Sequence, residues 1–216
     1  MSESNQEELM ESDDDESTPK TVSEVLEEIT QAWQNEKSAP EILKHMSDHV
    51  DCLLHHITCM EKNIEPLPKD DLRVTIHKME IDRIRYLISS YLRTRLEKIE
   101  LYAIDIIKEE AKRSENDRYL SDAELKFARD WAMNMETLLK SIVLQHLPGT
   151  FQELEIDKLT VKPNLNSHVF IRANKTVEGV IIPGTDEELN IAEGSQHLVQ
   201  YKAIAHLVKD GSVKLL

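Results

Sequence analysis

All five glycines of this 216-residue chain, Gly149, Gly179, Gly184, Gly194 and Gly211, lie after position 148. Glycine admits positive φ and weakens regular elements from within, so turns collect it and helix interiors exclude it. The first two thirds of the chain therefore suit helices joined by short connections, and the rest suits strands and turns. The expected fold is mainly α: a helical bundle with a long central helix, followed by a small β-rich domain. The boundaries are placed at 1–20 for an acidic tail, 21–147 for the helical domain, 148–160 for a linker and 161–216 for the β-rich domain. The last part is close to the lower size limit for independent folding, so it is expected to lean on something else.

Within that frame the local signals are specific. Thr21 with Glu24 is a capping-box pattern that starts a helix through Val25, Ile29 and Trp33. Pro40 is expected to open a short helical turn through Ile42 and Leu43, and Ser47 to cap a helix through Val50, Leu53, Leu54 and Ile57 that stops at "EPLPKDD". From Asp71 to Arg113 neither proline nor glycine intervenes, and Ile84, Ile88, Leu92, Leu96, Ile99, Ala103 and Ile106 recur in steps of three and four. One helix of that length extends roughly 60 Å. A domain of this size is only about 35–40 Å across, so the helix should project and need a partner chain to cover it. "SENDRY" breaks the pattern. Ser121 with Glu124 is a second capping box, ahead of a helix carrying Leu125, Ala128, Ala132, Met135, Leu139, Ile142 and Leu147 and ending at Pro148-Gly149. "SHVFIRA", "GVIIP" and "GSVKLL" read as strands, and Leu198, Tyr201, Ile204 and Val208 as the apolar side of a short helix between them.

Charge limits the function classes. The chain carries −15, of which residues 1–20 hold −7, and the remaining body is still negative enough to be repelled by phosphate. DNA contact is expected to be indirect at most. The first 19 residues are too poor in apolar groups to offset the entropy of ordering them and read as a disordered acidic tail, in which Ser12 ahead of "DDDE" suits an acidophilic kinase. Only two cysteines are present and no hydrophobic signal-peptide core opens the chain, which reads as intracellular and reduced. No apolar run approaches the roughly 20 residues that span a bilayer, so no membrane role is expected.

No glycine-rich phosphate loop, G-x-S-x-G elbow or H-E-x-x-H pair occurs, so no enzyme, no cofactor and no small-molecule substrate is expected. "CLLHHITC" tempts as a metal site. Cys52 and Cys59, however, lie seven residues apart, roughly 10.5 Å along a helix, too far for both thiolates to reach one zinc ion at about 2.3 Å. Buried cysteines beside half-exposed His55 and His56 are expected there, with no metal. The remaining candidate is "MEIDRIRYLISSYLRTRLEKIE", Met79 to Glu100, where Arg83, Arg85, Arg93 and Arg95 sit among apolar residues. Neighbours two apart differ by about 200° around a helix, so these arginines form no single basic stripe. They are expected to pair with carboxylates such as Glu80, Asp82 and Glu97, or to anchor an interface.

At "IHKMEIDRIRYLISSYLRTRLEKIE", Ile76 to Glu100, the chain resembles the signature helix of subunit 4 of the GINS complex, the four-subunit replication assembly of eukaryotes. "QAWQNEKSAPEIL", "LSDAELKFARDW", "HVFIR" and "GSQHLVQYKAIAHLV" resemble further parts of the same family, so the resemblance runs from about Thr21 to Leu216. It implies a helical A domain and a β-rich B domain in a non-catalytic nuclear subunit. Its partners would be the other three GINS subunits and, through the complex, the hexameric replicative helicase ring and its second accessory factor. The complex is needed to start replication and to move forks. The resemblance places a subunit interface on Arg83, Tyr86, Leu87, Tyr91, Leu92, Arg93, Arg95 and Leu96, and a B-domain motif on Gly194, Ser195, Gln196, His197 and Tyr201. His206 stands where the family pattern has proline, and Gln200 where it has a basic residue. A helical adaptor unrelated to replication is the alternative reading.

Overall fold

The computed structural model describes residues 20–68, 71–114, 117–148, 156–184 and 188–216. Ser12 and the rest of the acidic tail, and Gly149, lie outside the described residues. The helices are α1 (Val22–Ser38), α2 (Ser47–Ile64), α3 (Leu72–Glu110), α4 (Asp122–Ile142), α5 (Ile156–Leu159) and α6 (Tyr201–Lys209). The strands are β1 (His168–Ala173), β2 (Val177–Ile181), β3 (Glu188–Ile191), β4 (Gln196–Gln200) and β5 (Val213–Leu215). The fold is therefore mainly α, with a long central helix and a small β-rich C-terminal unit. No helix among the described residues is long and apolar enough to cross a membrane.

Both capping boxes are present: Thr21 and Glu24 open α1, and Ser121 and Glu124 open α4, each hydroxyl accepting the N3 amide while the glutamate accepts the N-cap amide. Two other local expectations are corrected. Residues 39–46 form no helical turn after Pro40, because this stretch is held open by long-range bonds to its backbone. Met46, with no side-chain cap, precedes α2, and the Ser47 hydroxyl turns instead to His45 Nδ1 at 2.8 Å.

α3 is 39 residues long, about 58 Å, and kinks at Tyr102, whose φ of −114° and ψ of 20° leave the helical region. Its first half packs on α1 and α2, burying Ile29, Leu53, Ile84 and Tyr91 together. Around the kink it packs on α4, burying Ile99 and Ile106 against Leu120, Leu125 and Ala128.

Between these two cores lies a buried ionic cluster. Arg95 is fully buried, and all five guanidinium N–H groups have acceptors. Nε and Nη2 donate to the two oxygens of Glu124 at 2.6 and 2.9 Å, Nη1 to Glu36 Oε2 at 3.1 Å and the Leu43 carbonyl at 2.8 Å, and Nη2 also to the Tyr119 carbonyl at 2.8 Å. Lys98 Nζ donates to Glu36 Oε1 and the Glu41 carbonyl, both at 2.8 Å, and to the Glu36 carbonyl. Two cations thus face two carboxylates, and one side chain of α3 ties together α1, α4 and both adjoining loops.

The C-terminal unit is a three-stranded antiparallel sheet in the order β4-β1-β5, with β2 and β3 as a separate hairpin. α6 packs its Ile204, Leu207 and Val208 on one face of the sheet. The segment read as a single helical stretch is split: Leu198 belongs to β4 and only Tyr201 onward is helical. β3 went unpredicted. Ala39 and Leu43 of the helical unit join this β core. Polar bonds reinforce that junction: Asn35 Oδ1 accepts the Leu215 N–H at 2.9 Å, the Tyr201 hydroxyl donates to Glu41 Oε1 at 2.9 Å, and Lys209 Nζ reaches the same carboxylate at 3.0 Å.

Removing one partner of a satisfied buried ion pair strands the other, at about 3–5 kcal/mol. Arg95→Met is therefore expected to lower unfolding free energy by about that amount in urea titration, and Arg95→Lys, which cannot supply five donors, by a large part of it. A pH signature should accompany the cluster. Burial works against the charge of Glu124, but the hydrogen bonds and charge of Arg95 and the Ser121 amide hold its carboxyl below the ordinary 4.5. A depressed carboxyl contributes stability above its unfolded pKa that is lost as pH falls through the folded one. The urea midpoint should fall as pH drops below about 4.5, and Glu124→Gln should show a shallower fall over the same window.

Candidate functional site

The arginine-rich half of α3 divides its residues between two destinations. Leu87, Tyr91 and Arg95 point into the chain's own core, at 6%, 2% and 0% exposure. Desolvation raises the Tyr91 hydroxyl to a pKa of about 12. Tyr86 is 67% exposed, Leu92 and Leu96 are partly exposed, and Arg83 and Arg93 lie on the surface. Arg83 pairs with Glu80 at 2.7 Å; Arg85 reaches Asp82 at 3.9 Å and, more closely, Glu61 of α2. Glu97, expected as a partner, is exposed and pairs with no arginine among the described residues.

The exposed residues have an order. Leu72, Ile76, Met79, Arg83, Tyr86 and Arg93 fall within a sector of about 100° on α3, at roughly 100° per residue. Leu72, Ile76 and Met79 are 71%, 55% and 68% exposed, so an apolar stripe of these three and Tyr86, interrupted by Arg83, runs along the outer side of the helix with spacing four, three, four, three. That is the seam spacing of helix-on-helix packing. Leu92 and Leu96 lie on another flank.

A second apolar surface was missed from the sequence. Of the apolar residues that α4 carries, only Leu125 and Ala128 are buried. Met135 and Ile142 are exposed, and Trp131, Ala132 and Leu139 line an apolar groove of 390 Å³ against Leu101 and Ile104 of α3. Leu159 of α5 and Val161 close the groove from the other side. Leu147, expected on α4, lies beyond it after a single 3-10 turn, Leu144–His146.

The B-domain motif spans the turn into β4, β4 itself and the start of α6. Gly194, at φ +76°, turns the chain between β3 and β4. The Ser195 hydroxyl lies 2.9 Å from His197 Nε2, Gln196 stands opposite Arg172, and Tyr201 is fully buried at the junction with α1. Burial and the neighbouring Glu41 carboxylate push the Tyr201 hydroxyl pKa upward. In the "CLLHHITC" segment, Cys52 is exposed and Cys59 half-buried, contrary to the buried pair expected, because their side of α2 faces away from α1 and α3. Cys59 Sγ lies 3.6 Å from His55 Nε2, and no cluster of three or more potential ligands forms among the described residues.

Comparison with known proteins agrees with this architecture. A family model described as the GINS complex protein helical bundle domain matches residues 1–143, and one described as the DNA replication complex GINS protein SLD5 C-terminus matches residues 163–216. The chain is 41% identical over 202 residues to the DNA replication complex GINS protein SLD5 of Homo sapiens, covering 91% of each chain. It is 41% identical over 211 residues to that of Xenopus laevis, covering 95% of each, and 30% identical over 203 residues to that of Arabidopsis thaliana, covering 88% of this chain and 90% of the relative. The relatives carry the name SLD5 where the resemblance gave the subunit by its number, 4, and the assignment to the GINS complex family matches them. The chain belongs to the SLD5 family of DNA replication complex GINS proteins.

Proposed function

We propose that this chain is a non-catalytic SLD5 subunit of a nuclear GINS assembly, required to start DNA replication and to advance forks. The observation that carries the reading is the unpartnered apolar stripe of α3, Leu72, Ile76, Met79 and Tyr86, on a chain that belongs to this family. Contiguous exposed apolar surface at helix-packing spacing marks association with another helix. The other three GINS subunits are the proposed occupants of that stripe and of the α3–α4 groove. The hexameric replicative helicase ring and its second accessory factor join through the assembled complex.

On this reading the division at 21–147, 148–160 and 161–216 separates an assembly module from a β-rich unit docked on α1. The interface set narrows to Arg83, Tyr86, Leu92, Arg93 and Leu96. The arginines supply register: Arg93 is exposed and has no partner among the described residues, so a carboxylate from another chain can meet it.

Co-expression with the other three subunits, followed by mass determination of the eluted species, tests the reading. A 1:1:1:1 complex is expected. Tyr86→Asp buries a charge in the seam and should weaken assembly by about 30-fold or more, as loss of an interface anchor does. Glu109→Lys, at an exposed position near the end of α3, should assemble normally. Equal assembly of both variants would move the interface off this stripe, and a chain that ignores the three subunits would overturn the reading.

A further inference from the structure

The sheet β4-β1-β5 has a face that α6 does not cover. Val169, Ile171 and Leu215 are buried on the α6 side. On the open side Phe170 stands opposite Leu198, and the Leu216 N–H donates to the Phe170 carbonyl at 3.0 Å. Phe170, Leu198 and Leu216 are 61%, 55% and 51% exposed, so an apolar row runs from β4 across β1 to the residue that follows β5. The next row sets Arg172 opposite Lys214. Like charges directly opposite on a sheet repel each other, and no carboxylate among the described residues pairs with either. An apolar row beside a dicationic row fits a segment that carries both apolar and acidic side chains.

The chain contains such a segment outside the described residues. Glu7 to Glu16, "EELMESDDDE", places Leu9 and Met10 among seven acids. Its reach is sufficient. The Ser38 hydroxyl, at the end of α1, donates to the Leu216 carbonyl at 3.1 Å, so the start of α1 lies about 25 Å from this sheet, one helix length away. The stretch from Met10 to Thr21 spans up to about 35 Å when extended. Tethering by a linker of this length gives an effective concentration of about a millimolar, so weak contacts suffice.

We propose that residues 7–16 dock on the open face of the β4-β1-β5 sheet of the same chain, with Leu9 and Met10 on the Phe170 row and the acids on Arg172 and Lys214.

Zero-length carbodiimide crosslinking of the 216-residue chain, read by peptide mass spectrometry, tests this. A crosslink from Lys214 to an acid within residues 7–16 is expected. It should fall about fivefold or more in Arg172→Glu, in Phe170→Ser and at about 0.5 M salt, where the screening length is only a few ångströms. The triple variant Asp13→Asn, Asp14→Asn, Asp15→Asn leaves the folded units untouched and keeps four crosslinkable acids, so a fall there reports docking and not misfolding. Mixing nitrogen-15-labelled with unlabelled chains should give crosslinks within one isotope. Absence of the crosslink, equal yields in all variants, or isotope-mixed crosslinks placing the segment on a second copy would each overturn the proposal. So would capture of Lys214 by a different chain in a co-purified assembly.

Discussion

A guanidinium taken wholly out of water is stable only when every donor finds an acceptor, and Arg95 meets that condition with partners from four different parts of the chain. The constraint propagates. Glu124 must cap α4 and bind Arg95 at once, which sets where α4 starts relative to α3. Glu36 must accept from Arg95, Lys98 and the Leu43 amide, which sets how α1 ends and how the following loop leaves it. Lysine could not substitute: its three donors radiate from one atom, whereas the planar fork of arginine reaches a carboxylate on one edge and carbonyls on the other. Apolar packing supplies most of the driving force, but this cluster selects one arrangement of the helices.

The same end of α1 carries the β-rich unit. Asn35 and Ser38 bond to the last strand, Ala39 is buried in the β core, and Glu41 receives both Tyr201 and Lys209. Lys209 illustrates the balance at such a junction. Burial works against its charge, yet the hydrogen bond and charge of Glu41 raise its pKa above the ordinary value, so the ammonium is retained. A unit this small buries too little surface to be robust alone, and the α1 terminus provides the missing contacts. The motif residue Tyr201 is thereby explained as an internal anchor, and an external binding role is not needed to account for it.

What faces outward is apolar and extended, not a chemical pocket. The α3 stripe, the α4 groove and the open sheet face are each built from side chains that a monomer gains nothing by exposing. A subunit that works by holding other chains distributes its function over such surfaces. An intrachain ion pair, Arg83 with Glu80, holds one guanidinium group within the stripe at the surface of α3.

Elements encoded by neighbouring residues were legible in the sequence. The two capping boxes span four residues each, the absence of proline and glycine from 71 to 113 together with the steps of three and four favours a long helix, and the glycines mark where strands and turns begin. Short apolar runs were ambiguous: Leu198, Tyr201, Ile204 and Val208 fit helical spacing, but pairing of Gln196–Gln200 with β1 claims the first of them for a strand. The candidate site was legible as a helix and illegible as a set of residues. Arginines near an apolar stripe demand carboxylates, yet the partners of Arg95 are 59 and 29 residues away, and spacing along one helix cannot reveal them. By itself the sequence determined the four main helices, the capped starts of α1 and α4 and that the chain must present apolar surface. Only the tertiary structure decided which apolar and arginine residues are interior and which remain for a partner. Hydrogen bonds within a helical turn depend on adjacent residues, whereas burial depends on which distant element arrives to cover each face.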